Sequence, residues 1–227
     1  MAKFSKIVKE SNENLLISKF IEIFKTKLNK KLKLNKRFSF VMTGGKSPIK
    51  LYKQLVKIKN IKWKSVDFFI SDERHIKETS KDSNINLCKK YLLNKIKISR
   101  NQIFKISTKN DLKKDAKNYE NKIKKYFFNK KISFDLVLLG IGNDGHIASL
   151  FKNNVNRNNK KIVDYIKRKD FSRITLSIKC INNSSTILLW APSKKKSFII
   201  KKILSDKMSK YPASYLKKEN NTLFYSN

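Results

Sequence analysis

Short, continuous apolar runs alternate along the chain with longer stretches in which apolar residues recur at helical spacing. Leu16, Phe20, Ile23 or Phe24, and Leu28 mark an amphipathic helix over residues 12–34. Phe38–Met42 is then a short buried strand, and Ile49, Tyr52, Leu55 and Val56 resume the helical spacing. Ser47 is the expected N-cap of that helix and Pro48 its first residue. Val66–Ile70 is a second buried strand. Asp82-Ser83-Asn84 reads as the cap of a helix through Leu87, Tyr91 and Leu92, and Ile103–Ser107 as a further strand. Leu112, Ala116, Tyr119, Ile123 and Phe127 predict another amphipathic helix. Leu136–Leu139 is a strand buried on both faces.

Beyond that strand come Gly140, Gly142 and Gly145, three of the five glycines in the chain. With Ile147, Leu150 and Phe151 following, the stretch predicts strand–turn–helix, with Asp144 as N-cap and His146 in the first helical turn. Residues 152–161 are almost all Asn and Lys and read as a mobile loop able to close over a substrate. Arg173–Ile178 alternates as a strand, with Ile174, Leu176 and Ile178 on one face. Thr186–Trp190 is a buried strand, Phe198–Leu204 a helix, and Thr222–Tyr225 a last short strand. Strand and helix alternate without a composition break, which predicts one α/β domain over residues 1–227 with a largely parallel sheet.

Composition narrows the classes. The 227 residues are 40% hydrophobic, enough for one full core. No window of about 18 apolar residues occurs, so no membrane partner is expected, and no signal-type apolar region follows the basic start. Cys88 and Cys180 stand far apart, outside metal-ligand spacing, and are expected as reduced, buried thiols of a cytoplasmic protein. The net charge is 54 − 17 = +37. Lys, Asn and Ile crowd every segment, which fits a codon bias toward A and T better than a nucleic-acid footprint gathered on one face. No specific nucleic-acid partner is therefore expected. The field still speeds the arrival of small anions. The expected assembly is a monomer or a weak homo-oligomer.

The candidate chemistry lies at strand ends, where open α/β sheets bind ligands. Gly44 and Gly45 precede a helix N-terminus and, with Lys46 and Ser47, predict a phosphate-binding turn. Gly45-Lys46-Ser47 imitates the end of a P-loop, but the upstream glycine of that motif falls on Phe40. Asp72, Glu73, Arg74 and His75 follow the second buried strand. Arg74 there is either an anion clamp or part of a surface turn whose charges pair with one another. His75 reads as a loop histidine. Arg173 opens its own strand, and Asp144 stands two residues before His146, one of only two histidines. There is no cysteine nucleophile, no G-x-S-x-G serine and no zinc ligand set. An anion cradle beside an Asp/His pair points to acid–base chemistry on a small phosphorylated substrate.

The blocks T-G-G-K-S-P, S-D-E-R, D-S-N, F-D-L-V-L-L-G-I-G-N-D-G-H-I-A-S-L-F, S-R-I-T-L-S and P-A-S occur in this order between Phe38 and Ser214. Together they resemble the 6-phosphogluconolactonase family. The resemblance implies a three-layer α/β sandwich with a Rossmann-like sheet flanked by helices, similar to glucosamine-6-phosphate deaminase and ribose-5-phosphate isomerase. It implies no metal or organic cofactor. It also implies hydrolysis of 6-phospho-D-glucono-1,5-lactone, a small phosphorylated sugar lactone, to 6-phospho-D-gluconate in the oxidative pentose phosphate pathway. By the same resemblance His146 is the general base, Asp144 orients it, and the Gly44-Gly45 turn, Arg74 and Arg173 grip the phosphate and hold the lactone. Backbone N–H groups of the Gly142–Gly145 turn are the expected oxyanion donors.

The chain departs from that pattern at Lys46, where a small hydroxyl residue is usual, at Ser193, where a glycine precedes the lysine (here Lys196), and in its non-acidic end. Two rivals remain. A deaminase or isomerase of amino-sugar phosphates would carry a glutamate shortly after G-H-I-A, where Ser149, Leu150 and Phe151 stand instead. A polyanion-binding protein on an inactive enzyme fold would have lost the Asp144/His146 pair, which is intact.

Overall fold

The computed structural model describes residues 4–156, 158, 160–205 and 210–226. Its elements in chain order are β1 (Lys6–Glu10), α1 (Glu13–Lys33), β2 (Phe38–Met42), α2 (Ile49–Lys57), β3 (Val66–Ile70), β4 (Asp72–Arg74), α3 (Asn84–Tyr91), β5 (Ile103–Phe104), α4 (Leu112–Tyr126), β6 (Leu136–Gly140), β7 (Val163–Ile166), β8 (Arg173–Leu176), α5 (Ile178–Asn182), β9 (Ile187–Ala191), α6 (Ser197–Ser205) and β10 (Asn221–Ser226). Seven strands form one sheet in the order β1-β10-β9-β6-β2-β3-β5, every neighbouring pair parallel. β4, β8 and β7 form a second, antiparallel sheet of three strands.

The period of two along each central strand divides the core between two faces. Phe38, Phe40 and Met42 of β2 join Val66, Phe68 and Ile70 of β3 and Leu136 and Leu138 of β6 on one face. Val41, Phe69, Val137 and Leu139 point to the other. The first face is covered by α1, whose buried stripe is Leu16, Ile17, Phe20, Phe24 and Leu28. Phe24 packs edge-on against Phe38 and Phe40 at centroid distances of 5.5 and 5.4 Å. The Asn12 side chain caps this helix by accepting from Asn14 N and Leu15 N, and Lys30, Lys31 and Lys33 complement its C-terminal dipole. α4, α6 and the small sheet supply the opposite face. Strands buried on both sides between helical layers form the expected parallel sandwich.

Several expectations need correction. No helix follows β6. Residues 141–150 make a compact loop held by bridges Ile141↔Ile147 and Ile147↔Leu150, and Ala148 has φ +48°, outside the right-handed helical region. Asp144 therefore caps no helix and His146 lies in no helical turn. The spacing of Ile147 and Leu150 is met by a loop that buries both side chains. Pro48, not Ser47, occupies the N-cap of α2, with no side-chain cap bond. The strand beginning at Arg173 stops at Leu176, because the Ser177 side chain accepts from Cys180 N and starts α5 at Ile178. β5 spans only Ile103–Phe104. β1, β4 and β7 carried no strand prediction. The expected loop over 152–161 has neither helix nor strand where it is described, and its residues 157 and 159 lie outside the described residues. Cys88 and Cys180 are both free and buried. Among the described residues no helix is long and apolar enough to cross a membrane.

Candidate active site

The carboxyl ends of β2, β3 and β6 open on one cleft of ≈ 130 Å³. Its walls come from the β2–α2 turn (Thr43, Gly44, Gly45, Ser47), from β4 (Asp72, Arg74), from the loop after β6 (Gly142, His146, Ala148) and from Arg173 of β8. The turn after β2 is pinned from below. The Tyr52 hydroxyl donates to Thr43 O at 2.6 Å and accepts from Thr43 N at 3.1 Å.

The small sheet delivers the cations. β4 pairs with β8 so that Arg74 lies directly opposite Arg173. Like charges in that relation repel, so the arrangement needs an anionic counterpart. Arg74 donates to Asp82 O and Arg173 is paired with Asp170. The Nε of each arginine is nevertheless buried with no hydrogen-bond partner among the described residues. Two buried guanidinium donors left unused at one cleft suit a phosphate or carboxylate. Asp72 serves as a tie. Its Oδ1 accepts from Ser71 Oγ at 2.8 Å, its Oδ2 from Ser149 Oγ at 2.7 Å, and its backbone oxygen from Asn84 Nδ2. It thereby joins β4, the loop after β6 and the start of α3. The neighbouring Glu73 is buried and accepts from Ser83 Oγ and from the N–H groups of Arg74, Asn84 and Ile85. Burial pushes its pKa up to about 6 against these four bonds.

His146 sits across the cleft with Nδ1 2.5 Å from Asp144 Oδ1. A carboxylate at Nδ1 selects the tautomer with the proton there, leaving the Nε2 lone pair for a substrate-side proton. Partial burial would raise the Asp144 pKa. The charge and hydrogen bonds of His146 outweigh it and hold the carboxyl below its ordinary value. Two glycines make this loop possible. A Cβ on Gly142 would lie 2.1 Å from His146 Nδ1. Gly145 adopts φ +78° against the Tyr211 ring, and its carbonyl accepts from Ala213 N.

Of the predicted residues, Gly44, Gly45, Ser47, Asp72, Arg74, His146 and Arg173 meet in the cleft, and Asp144 stands beside it. Lys46 does not. It is exposed and lines an adjoining groove with Lys50, Lys53 and Ser193. Gly142 N donates to His146 O and Gly145 N to Gly142 O, so these two N–H groups are spent inside the turn and cannot serve as oxyanion donors. Lys196 is not among the predicted site residues. Its Nζ donates to Asn143 Oδ1 at 2.6 Å, and burial lowers its pKa while Asp144 opposes the shift. Its place as the lysine after Ser193 was the available signal.

The fold and cleft thus define a parallel α/β sandwich with two arginines and a histidine–carboxylate pair gathered at the sheet's carboxyl edge. The family model described as glucosamine-6-phosphate isomerases/6-phosphogluconolactonase matches residues 11–225. The chain belongs to this family. It is 28% identical over 207 residues to the 6-phosphogluconolactonase of Thermotoga maritima, covering 90% of this chain and 91% of that one. It is 32% identical over 193 residues to a probable 6-phosphogluconolactonase of Dictyostelium discoideum, covering 81% and 82%. The crystal structure of the Thermotoga maritima protein superposes with a TM-score of 0.84 over 97% of this chain and 99% of that one. A monomeric glucosamine-6-phosphate deaminase shares the fold (TM-score 0.84, 98% and 97% covered) at 19% identity.

Proposed function

We propose that this chain hydrolyses 6-phospho-D-glucono-1,5-lactone to 6-phospho-D-gluconate, the whole of residues 1–227 acting as one unit. The observation that carries the reading is a cleft holding His146, oriented by Asp144, opposite two arginines whose buried Nε groups have no partner among the described residues. The phosphate is held by Arg74, Arg173 and the Gly44-Gly45 turn. His146 Nε2 takes a proton from water as the water oxygen bonds to the lactone carbonyl carbon. Asp144, kept anionic, stabilises the imidazolium that forms. The tetrahedral intermediate collapses with cleavage of the bond to the ring oxygen, and the proton on His146 passes to that oxygen as it becomes a hydroxyl. The new carboxylic acid releases its proton to solvent to give the gluconate, so atoms and charge balance without a covalent enzyme intermediate. A lactone carbonyl is already reactive, so alignment of water and base supplies most of what is required.

The test is hydrolysis of freshly generated lactone with the spontaneous rate subtracted. Wild type is expected to exceed background, and His146→Ala to lose about a hundredfold or more. Full activity in His146→Ala overturns the mechanism. No activity in wild type overturns the assignment.

A further inference from the structure

Behind His146, outside the residues that line the cleft, stands Phe151. Its ring centroid is 4.6 Å from that of the imidazole, tilted by 42°. The same ring carries the Arg168 guanidinium at 4.1 Å and that of Arg173 at 5.5 Å. Asp170 ties the two arginines together. Its Oδ1 lies 2.9 Å from Arg168 Nε, and its Oδ2 pairs with Arg173 Nη2. Desolvation of Asp170 is outweighed by hydrogen bonds from Phe171 N–H, Arg168 and Arg173, which hold its carboxyl well below the usual carboxylate range. Phe151 is itself fixed. Its N–H donates to Asn154 Oδ1 at 2.7 Å, and its carbonyl accepts from the N–H groups of Asn154 and Val155.

One ring therefore touches both halves of the site, the base on the loop after β6 and the anion clamp on β8. Ser149 ties the loop after β6 to Asp72 of β4 and Thr175 of β8, but His146 and Arg173 share no hydrogen bond among the described residues. From this the geometry assigns Phe151, Arg168 and Asp170 to a positioning unit that fixes the His146 ring relative to the Arg173 guanidinium. A planar guanidinium stacks on an aromatic face, and an imidazole leaning on the same ring loses its freedom to rotate about χ2. Asp170 pairs with Arg173 Nη2, while Arg173 Nε has no partner among the described residues and remains a donor for the substrate. The phosphate and the scissile carbonyl are at opposite ends of one small molecule. A rigid spacing between clamp and base makes binding energy at one end count toward reaction at the other.

This inference rests on the lactonase reading, and the experiment separates the two. Phe151→Leu keeps apolar bulk and removes the ring. It is expected to lower kcat about tenfold to a hundredfold with KM within about twofold, and Phe151→Tyr to restore kcat. Asp170→Asn is expected to raise KM about fivefold and to lower kcat about threefold, because it loosens the clamp and its spacing from the base. The chain has two histidines, so its imidazole Cε1–H spectrum has two resonances, independent of turnover. Phe151→Leu should move the His146 resonance, by loss of the ring current, and leave that of His75. An unmoved His146 resonance overturns the unit whether or not the enzyme acts on the lactone. An unchanged kcat in Phe151→Leu, with wild type active, overturns it as well. Wild type inactive on the lactone overturns the reading of the reaction instead.

Discussion

Both histidines of this chain are paired with an aspartate, and the two pairs differ in almost everything else. His75 Nε2 lies 3.1 Å from Asp115 Oδ2, with the aspartate side chain fully buried and the histidine 17% exposed. Asp115 is further bound by Asn110 through its backbone N–H and its side-chain amide. Desolvation of Asp115 is outweighed by these bonds and by those from His75 and Ser107, so it stays below its ordinary pKa. The pair joins the end of β4 to the first turn of α4, and it closes on itself. His146 instead uses Nδ1 for an aspartate that is 62% exposed, and it lines an open cleft beside unpartnered arginine donors. The residue types are the same. Chemistry follows from which nitrogen remains free and from what faces it.

The widest separation between the pairs is expected in activity. His146→Ala should lose kcat by about 10²–10⁴ while remaining folded, whereas His75→Ala should keep kcat within about twofold. Equal losses in lactone hydrolysis would break the distinction. Gly142→Ala comes next. Its methyl would sit 2.1 Å from His146 Nδ1, so the imidazole must move, and kcat should fall on the order of 10² with the unfolding midpoint little changed. In stability the order reverses. His75→Ala removes a partner from a buried carboxylate and should cost about 1–3 kcal/mol in denaturant unfolding, against about 0–1 for the partly exposed His146 pair.

Glu73, next to Arg74 and His75, gives an effect confined to stability, with a sharp sign. Its pKa rises from 4.5 to about 6 on folding, so the folded state holds the proton more firmly than the unfolded state. The resulting stability is complete below pH ~4.5 and is lost as pH rises through ~6, a change of about 2 kcal/mol. Urea unfolding of wild type minus Glu73→Gln across this window should show that decline. A flat difference would contradict it.

Legibility in the sequence varied with the physics of each segment. β2, β3 and β6 were plain because burial on both faces demands an unbroken apolar run, and α1 and α4 because one buried stripe imposes a 3.6-residue period. β4 and β7 were not, since three or four residues of mixed polarity leave no period to detect. The loop after β6 imitated a helix because two apolar positions three apart satisfy either geometry. Arg74 stayed open between clamp and surface turn for the same kind of reason. Its meaning depends on Arg173, which reaches it only through the β4–β8 pairing.

By itself the sequence determined the alternation of strand and helix, the strand ends where glycines, arginines and the Asp144/His146 pair gather, and the family to which these motifs belong. Those are local properties, carried by side-chain pattern within a few residues. The tertiary structure decided which charges face each other, which histidine has a free nitrogen toward a cleft, that Lys46 turns away, and that the Gly142 and Gly145 N–H groups are already engaged. The facing of charges depends on contacts between segments far apart in the chain, whose register is set only when both faces of the sheet are packed, whereas the Gly142 and Gly145 bonds are local to a loop whose path the side-chain pattern leaves open.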